Sequence, residues 1–530
     1  MSLNFNLIIK NGTVVDGTGT AGRVVDIGIQ DDKITCIGSI DNLSDCHIID
    51  AAGCVVAPGF IDIHSHSDFF WLVSPESESK IHDGVTTEIC GNCGISAFPL
   101  KGQLLENKRK GLSKFGLDIN WSTAEDFFKR ANEAKSSINR GFLVGHGNIR
   151  ACVLGYENRE PDKNEFAEMK KELRNAMEFG AFGMSSGLIY PPGCYAKTVE
   201  LVELCKIVSQ YNGIYATHIR NEGDEIEAAL SEAINISRES GVNTQVSHIK
   251  TWGEKNWKKI DKIKKLLDDA RSKGIDITCD RYPYIAAATD LDVILPGWVY
   301  EGGTVEEKKR LGDPLLRKRI IKEMEHKGQS QGFWGTIMIS SVFNKENGSY
   351  EGKTIAEIAV ALRVRPIEYV LDLLYEEDCR VSAIFFNMSE ENLARILNWD
   401  FVMVGSDSSL RSLKGVLNYG KPHPRGYGTF SRVIRKYVNE TPLLSIEKAI
   451  YKMTGLPAQK LGLKNRGILK EGFSADITIF DQESIAEKAT FANPHNYSEG
   501  IKHVLVNGKL TIKDGRHEGV VNGEILKNLN

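Results

Sequence analysis

The chain of 530 residues lacks several features that would assign it to particular classes of protein. No apolar run approaches the ~20 residues that span a bilayer, and the start, Met1–Leu7, lacks the basic and apolar regions of a secretory signal. Blocks of like charge are absent, and a net charge of −4 argues against nucleic acid or an acidic membrane as an obligate partner. The ten cysteines are scattered without a disulfide framework, so we expect a reducing, cytoplasmic location.

The most informative stretch is Gly59–Asp68, in which an apolar run leads into His64-Ser-His66. Residues i and i+2 of a β-strand point to the same face, so both imidazoles should aim at one point. Two such histidines at the end of a buried strand suit a metal at the carboxyl end of a parallel barrel. The motif alone is also compatible with an ordinary histidine pair, so the prediction depends on further ligands downstream.

From Pro58 onward the pattern strand, loop, helix repeats. The predicted strands are Phe60–His64, Val85–Cys90, Phe142–His146, Phe182–Ser186, Ile214–His218, Thr244–His248, Asp276–Tyr282 and Phe401–Asp407. Segments with helical spacing lie between them, at Glu165–Phe179, Val199–Tyr211, Glu225–Ser240 and Trp257–Ser272. Eight alternating units predict an α/β fold, a parallel (β/α)₈ TIM barrel.

Two further parts complete the predicted architecture. Roughly a hundred residues, about 286–385, separate the seventh strand from the helix predicted at Glu390–Asn398, too many for a simple loop. This insertion should lie on the carboxyl face as a lid. Residues 1–57 and 464–530 contain short strands with Asn-Gly turns, so both chain ends should form one β-sandwich beside the barrel at 58–463.

Ligand-type side chains stand at the carboxyl ends of the predicted strands. They are His64, His66, Cys93, His218, His248 and Asp407. Because these ends meet at one mouth of a barrel, all six should converge. Thiolate and imidazole together favour zinc.

The chain resembles the amidohydrolase superfamily and, within it, the N-acyl-D-amino-acid deacylases (D-aminoacylases). The resemblance runs nearly end to end, and Gly91-Asn-Cys-Gly-Ile-Ser96 is its most specific part. Other matching segments are Pro58–His66, Gly84–Thr87, Ser186–Tyr190, Thr217–Arg220, Ser247–Lys250, Tyr282–Tyr284, Gly405–Asp407, His423–Arg425, Tyr427–Phe430 and Lys452–Pro457. The fourth strand, Ala181–Gly187, has no lysine that could be carboxylated to bridge two metals, which separates the chain from dihydroorotases and hydantoinases.

The resemblance implies a zinc-dependent hydrolase that cleaves N-acyl-D-amino acids into a carboxylate and a D-amino acid. It implies that Cys93, His218 and His248 hold one tight zinc, and that His64, His66 and Asp407 line a second site, weakly occupied or empty. Zinc lowers the pKa of a bound water towards ~7. Asp407 then acts as general base and general acid, and His64 or His66 stabilises the developing oxyanion.

The substrate's α-carboxylate requires a fixed cation. Lys250 lies two residues after His248 on the same strand face, and by the resemblance Tyr190 and Tyr282 occupy positions that contact substrate. Arg220, Arg411 and Arg425 are further candidates. Each of these side chains could instead pack or face solvent.

Two other interpretations remain at this stage. The chain could be another amidase of the same branch, acting on D-residue dipeptides or cyclic amides, or a scaffold that has lost catalysis. The filled ligand positions argue against the scaffold. The handedness of the substrate is implied by the resemblance alone. Ala286-Ala-Ala288 and Ser408-Ser409 depart from the family pattern. The sequence does not fix the preferred side chain, the acyl group or the oligomeric state.

Overall fold

A computed structural model of the chain describes residues 5–41, 46–325 and 332–528. At its centre, eight parallel strand segments alternate with helices. The strands are β1 (Phe60–Asp62), β2 (Val85–Cys90), β3 (Asn139–Phe142 with Val144–Gly145), β4 (Gly183–Gly187), β5 (Ile214–His218), β6 (Asn243–Val246), β7 (Ile277–Arg281) and β8 (Val402–Val404).

The pairing of these strands follows their order in the chain. β1, β2 and the first part of β3 form one parallel sheet, and the second part of β3 continues through β4 to β8. A parallel bridge between Ser65 and Ser408, just past β1 and β8, brings the first and last strands together. The result is an α/β barrel whose strand ends share one rim.

Helices follow the strands and cover the outside of the barrel. They are Glu78–Ile81, Gly102–Leu112, Ala124–Glu133, His146–Leu154, Lys163–Glu178, Thr198–Gln210, Ile226–Ser240, Ile260–Ser272, Glu390–Asn398, Arg425–Arg432, the π-helix Val433–Glu440, Ile446–Met453 and Gly455–Leu461. Capping boxes begin two of them: Thr123 pairs with Asp126, and Asp162 with Glu165. Each box satisfies backbone N–H groups at the helix start.

The segment between β7 and Glu390 forms a small unit of its own. Its antiparallel sheet has the order Ala286–Asp290, Ser382–Phe386, Ile337–Ser341. Its helices are Thr304–Gly312, Pro314–Glu325, Ile355–Leu362 and Pro366–Glu376. A separate apolar core that includes Leu311, Ile337, Val370 and Phe385 holds these elements together. Residues 326–331 of the predicted insertion lie outside the described residues.

Strands from both chain ends form two facing sheets. One has the order Lys33–Gly38, Asp26–Gln30, Leu7–Lys10, His47–Asp50. The other has the order Arg516–His517, Lys509–Lys513, Ile501–Val506, Ile477–Phe480, Val55–Pro58, Thr13–Val14, Arg23–Val24. Ile477 pairs with Pro58 and Phe480 with Val55, so the end of the chain is bonded to its beginning. Residues 1–4, 42–45 and 529–530 of the predicted terminal parts lie outside the described residues.

Several strand boundaries differ from the sequence prediction. β1 ends at Asp62 and β8 at Val404, so His64, His66 and Asp407 lie in the segments that leave the strands. The alternation rule of a strand therefore does not account for the shared direction of His64 and His66. β3 begins earlier than predicted, and His146 starts a helix. No helix among the described residues is both long and apolar enough to cross a bilayer.

Candidate active site

The six predicted ligand residues come together at the carboxyl rim of the barrel. They form two groups that share Cys93: one with His64, His66 and Asp407, the other with His218 and His248. Within each group, one donor atom from every residue lies within 4.8 Å of the others. Side chains that are hundreds of positions apart in sequence thus surround two adjoining points.

The contacts inside these groups are short. Cys93 Sγ lies 3.4 Å from His64 Nε2 and 3.5 Å from His248 Nε2. Asp407 Oδ1 lies 3.3 Å from His64 Nε2 and 3.0 Å from His66 Nε2. His66 is the most open of them, with 24% of its side chain exposed.

The electrostatic environment favours the ligand forms of Cys93 and Asp407. Burial raises the pKa of the Cys93 thiol, but the neighbouring imidazoles of His64 and His248 outweigh burial and hold it well below its ordinary value. Burial likewise raises the pKa of the Asp407 carboxyl, and Arg425 and His248 hold it well below its ordinary value. A thiolate and a carboxylate are the forms that bind a divalent cation.

Three of the ligand residues have left-handed backbone conformations. The φ angles are 52° at Cys93, 35° at His248 and 50° at Asp407. Non-glycine residues rarely adopt such angles, and strain of this kind gathers at functional sites. Gly94 allows the turn at Cys93, because a Cβ there would lie 2.6 Å from the backbone nitrogen of Gly187.

Asp280, near the end of β7, is a residue that sequence reasoning missed. Its Oδ1 lies 3.0 Å from His64 Nδ1 and accepts a hydrogen bond of 2.9 Å from the backbone N–H of His248. An Nδ1–H bond to this carboxylate orients the ring of His64 so that Nε2 faces the site. The one available signal was a carboxylate near the carboxyl end of a predicted barrel strand.

Glu222 is a second missed residue. It lies in the loop after β5, with Oε1 3.0 Å from His248 Nδ1 and Oε2 3.6 Å from His218 Nε2. Burial raises its pKa, but Lys250 and the two histidines outweigh burial and lower it. Glu222 and Lys250 both contact Nδ1 of His248, so Nε2 is the ring nitrogen that faces Cys93.

Lys250 was predicted to meet the substrate, and the structure places it within this same cluster. Its ammonium is bonded to Glu222 and lies 2.8 Å from His248 Nδ1, and the residue is 3% exposed. The positive charge of Lys250 therefore balances the buried carboxylate of Glu222. Arg220 lies farther out, bonded to Glu232 and to the carbonyls of Cys194 and Ala196.

A cationic patch lies on the Asp407 side of the site. Arg425 Nη1 lies 2.8 Å from Asp407 Oδ2, and the Arg425 guanidinium lies 4.5 Å from the ring centroid of Tyr282. The hydroxyl of Tyr282 is buried and has no hydrogen-bond partner among the described residues. Although burial raises the pKa of Tyr282, Lys250, Arg281 and Arg425 lower it overall. A buried donor amid positive charge is suited to an anion.

Tyr190 borders a cavity of about 470 Å³ that opens at Cys93 and Gly94. Its ring lies 5.2 Å from that of His218, and its hydroxyl is 3.0 Å from Thr289 Oγ1. The far wall consists of helix Gly102–Leu112 and residues of the inserted unit, among them Ser341 and Ser382. The cavity has room for a small acylated compound.

The residues present fit a zinc ion. Neither ring nitrogen of the buried His218 has a hydrogen-bond partner within the described part of the chain, a state that buried polar groups seldom keep without a ligand. One thiolate and two imidazoles are a donor set that zinc prefers, with a fourth position left open.

Comparison with known proteins identifies the family of the chain. A model described as the amidohydrolase family matches residues 47–138 and 392–512. An N-acyl-D-glutamate deacylase from Alcaligenes xylosoxydans xylosoxydans is 34% identical over 508 residues, which cover 96% of this chain and 94% of the relative.

Two solved structures cover 99% of this chain and 100% of their own, each with 32% identity and a TM-score of 0.83. One is an N-acyl-D-glutamate deacylase from Bordetella bronchiseptica complexed with zinc and a phosphonate mimic of the tetrahedral intermediate. The other is a D-aminoacylase described by its binuclear metal centre, with activation by one metal and attenuation by the second. The chain belongs to the N-acyl-D-amino-acid deacylase branch of the amidohydrolase family.

Proposed function

We propose that this protein hydrolyses the amide bond of N-acyl-D-amino acids with the help of zinc, releasing a carboxylate and a D-amino acid. The observation that carries the proposal is the meeting of Cys93, His218 and His248 beside the buried carboxylate of Asp407. The end-to-end relationship with deacylases of this type supports the substrate class and its handedness.

Cys93, His218 and His248 would hold the tight zinc, and His64, His66 and Asp407, with Cys93 shared, a second and weaker one. Zinc, when bound, supplies a Lewis acid that lowers the pKa of water and polarises a carbonyl. The remaining chemistry belongs to the side chains around it.

Asp407 is proposed as the general base and general acid. Its lowered pKa keeps the carboxylate ionised at neutral pH, so it begins the reaction as a proton acceptor. Its Oδ1 then delivers the proton to the departing nitrogen, because an amine leaves readily only once protonated. His64 and His66, both in contact with this oxygen, would stabilise the oxyanion.

The α-carboxylate would bind at Arg425 and the hydroxyl of Tyr282, with Lys250 adding positive charge behind them. The unpartnered Tyr282 hydroxyl and the position of Arg425 against Asp407 support this placement. Tyr190 would then contact the rest of the substrate at the entrance to the cavity. A carboxylate held here directs the acyl amide towards Cys93 and the ligand histidines.

The inserted unit, about 286–385, is proposed as a lid, because Ser341 and Ser382 form part of the cavity wall. We also propose the division into a barrel at 58–463 and a β-sandwich of 1–57 and 464–530. A cytoplasmic location is proposed from the scattered cysteines of the sequence.

One screen tests the function. The purified protein is offered N-acetyl-D-amino acids, their L-enantiomers, D-residue dipeptides and cyclic amides, and bound metal is measured in the same preparation. We expect hydrolysis of N-acetyl-D-amino acids with about one zinc per chain. Preference for dipeptides or cyclic amides would establish the alternative amidase, and zinc-replete protein without hydrolysis of any of these would refute the proposal.

A further inference from the structure

The short helix Glu78–Ile81, which follows β1, is packed against the segment that carries Asp407. Ser79 Oγ accepts a hydrogen bond of 3.0 Å from the backbone N–H of Arg411. Glu78 Oε2 accepts one of 2.5 Å from Ser412 Oγ. Consecutive residues of one helical turn thus hold the polypeptide just beyond Asp407.

Lys80, the next residue of this helix, contacts the chain immediately before and after Asp407. Its ammonium donates hydrogen bonds of 2.7 Å to Asp62 Oδ2, 2.9 Å to Ser406 Oγ and 2.9 Å to the carbonyl of Ser408. Ser406 and Ser408 flank Asp407 in sequence. All three donors of a lysine are used, and the residue is 2% exposed.

Asp62, the partner of Lys80, also bonds to the backbone of Ser406 and His64. Its Oδ1 accepts hydrogen bonds of 2.8 Å from the backbone N–H of Ser406 and 3.3 Å from that of His64. Asp407 N–H in turn donates to the carbonyl of His64 at 2.8 Å. The Lys80–Asp62 pair therefore links the two segments from which His64 and Asp407 emerge.

The backbone of Asp407 requires such restraint. Its φ of 50° is a conformation that an aspartate leaves unless its surroundings hold it there. A carboxylate that transfers a proton must lie within hydrogen-bond reach of its partners. Small rotations of this residue would carry Oδ1 out of contact with His64 and His66.

We infer that Lys80 is a positioning residue for Asp407, which acts through the carbonyl of Ser408 and the hydroxyl of Ser406. The inference rests on the proposed function of Asp407 and names a residue that does not touch the substrate. Glu88, 3.7 Å from the ammonium, is itself paired with Arg140, so Lys80 is left to balance Asp62. Removal of the ammonium takes away a charge and three hydrogen bonds at once.

The test compares Lys80→Met with Lys452→Met in the full-length, zinc-loaded protein. Lys452 is a matched control, because it is equally buried and bonds the carbonyls of Trp399 and Val402 at the opposite end of β8. We expect both variants to unfold at lower temperature. Only Lys80→Met should lower kcat, at least tenfold and with KM changed less than threefold.

A double variant separates position from charge. Asp62→Asn with Lys80→Met restores electrical neutrality and keeps an amide oxygen that can accept from Ser406 and His64. We expect it to regain much of the lost thermal stability but not kcat, because the bond to the Ser408 carbonyl is still missing. Recovery of kcat would show that Lys80 only neutralises Asp62, and would overturn the inference.

A crystal structure of Lys80→Met gives a result that does not depend on activity. We expect Asp407 Oδ1 to leave its contacts with His64 and His66. An undisplaced carboxylate, or equal kcat in the Lys80 and Lys452 variants, would overturn the inference while leaving the proposed function intact. A wild-type protein that hydrolyses no N-acyl-amino acid would refute the function itself, and the position of Asp407 in the variant structure would still decide the role of Lys80.

Discussion

The two groups of ligand residues at the rim differ in how their side chains are satisfied. In the group of Cys93, His218 and His248, the ring nitrogens of His218 have no hydrogen-bond partner within the described residues. In the other group, His64 contacts Asp280, His66 contacts Asp407, and Asp407 is paired with Arg425.

From this difference we expect the group of Cys93, His218 and His248 to depend more strongly on a metal. Unpaired imidazole nitrogens that are buried cost free energy until a ligand binds them. Side chains that already satisfy one another gain less from a cation, and Arg425 competes with it for the carboxylate of Asp407. The first group should therefore bind zinc tightly and the second weakly.

Replacement of Cys93 should have the largest effect, because this residue belongs to both groups. In Cys93→Ala we expect bound zinc to fall close to zero and hydrolysis to be lost, as measured by metal analysis and initial rates. Cys90→Ala is the control, since this buried thiol lies in β2 outside either group. Unchanged zinc in Cys93→Ala would remove the cysteine from the ligands.

The second largest effect is expected for Asp407→Asn, which should impair catalysis but leave zinc bound in the other group. The amide cannot accept the proton, so kcat should fall by about 10² to 10⁴. Zinc on Cys93, His218 and His248 should be retained, which metal analysis will measure. Asp400→Asn, an exposed aspartate bonded to Lys448, is the control. A variant with full turnover would exclude Asp407 as the base.

Arg425→Lys keeps the charge but loses the planar group that reaches both Asp407 and the region of Tyr282. We expect KM for an N-acetyl-D-amino acid to rise about tenfold or more, in line with ~1.5–3 kcal/mol for hydrogen bonds to charged groups. A second zinc should bind more tightly as well, because its competitor for Asp407 is weakened.

The matched control for this variant is Arg432→Lys, whose guanidinium binds the Pro283 carbonyl and Glu487. Unchanged KM and second-zinc affinity in Arg425→Lys would show that Arg425 neither binds the carboxylate nor competes with metal.

Tyr282→Phe should have the smallest effect. Loss of one hydroxyl removes a single hydrogen bond to the substrate carboxylate, at the lower end of ~1.5–3 kcal/mol, so KM should rise about tenfold with kcat nearly unchanged. Tyr284→Phe is a close control, because that hydroxyl donates to the Gly428 carbonyl. Equal KM values in the two variants would leave Tyr282 as a packing residue.

Sequence reasoning grouped the proposed ligands because strand ends of a barrel meet at one rim, a rule that needs only strand order. It placed Cys93, His218 and His248 correctly at one rim without knowledge of their distances. For His64 and His66 the alternation argument was wrong in detail, since β1 ends at Asp62. Past the strand, Asp62 and Asp280 hold His64, and the backbone N–H of His66 donates to the carbonyl of Ser408.

The residues that support the ligands were missed for a physical reason. Asp280 pairs with His64, Lys80 with Asp62 and Glu222 with Lys250, and these contacts form only when separate segments of the chain pack together. Lys250 shows the same limit, because β6 ends at Val246, so strand periodicity does not apply to this residue, and its bond to Glu222 forms only in the fold. The bounds of Glu390–Asn398 were predictable, because local spacing and an N-terminal serine determine them.

The most direct test is anomalous diffraction at the zinc edge from crystals grown with one equivalent of zinc. The account predicts a single strong peak bounded by Cys93 Sγ and the imidazoles of His218 and His248. A peak confined to His64, His66 and Asp407, or no peak near Cys93, would contradict it.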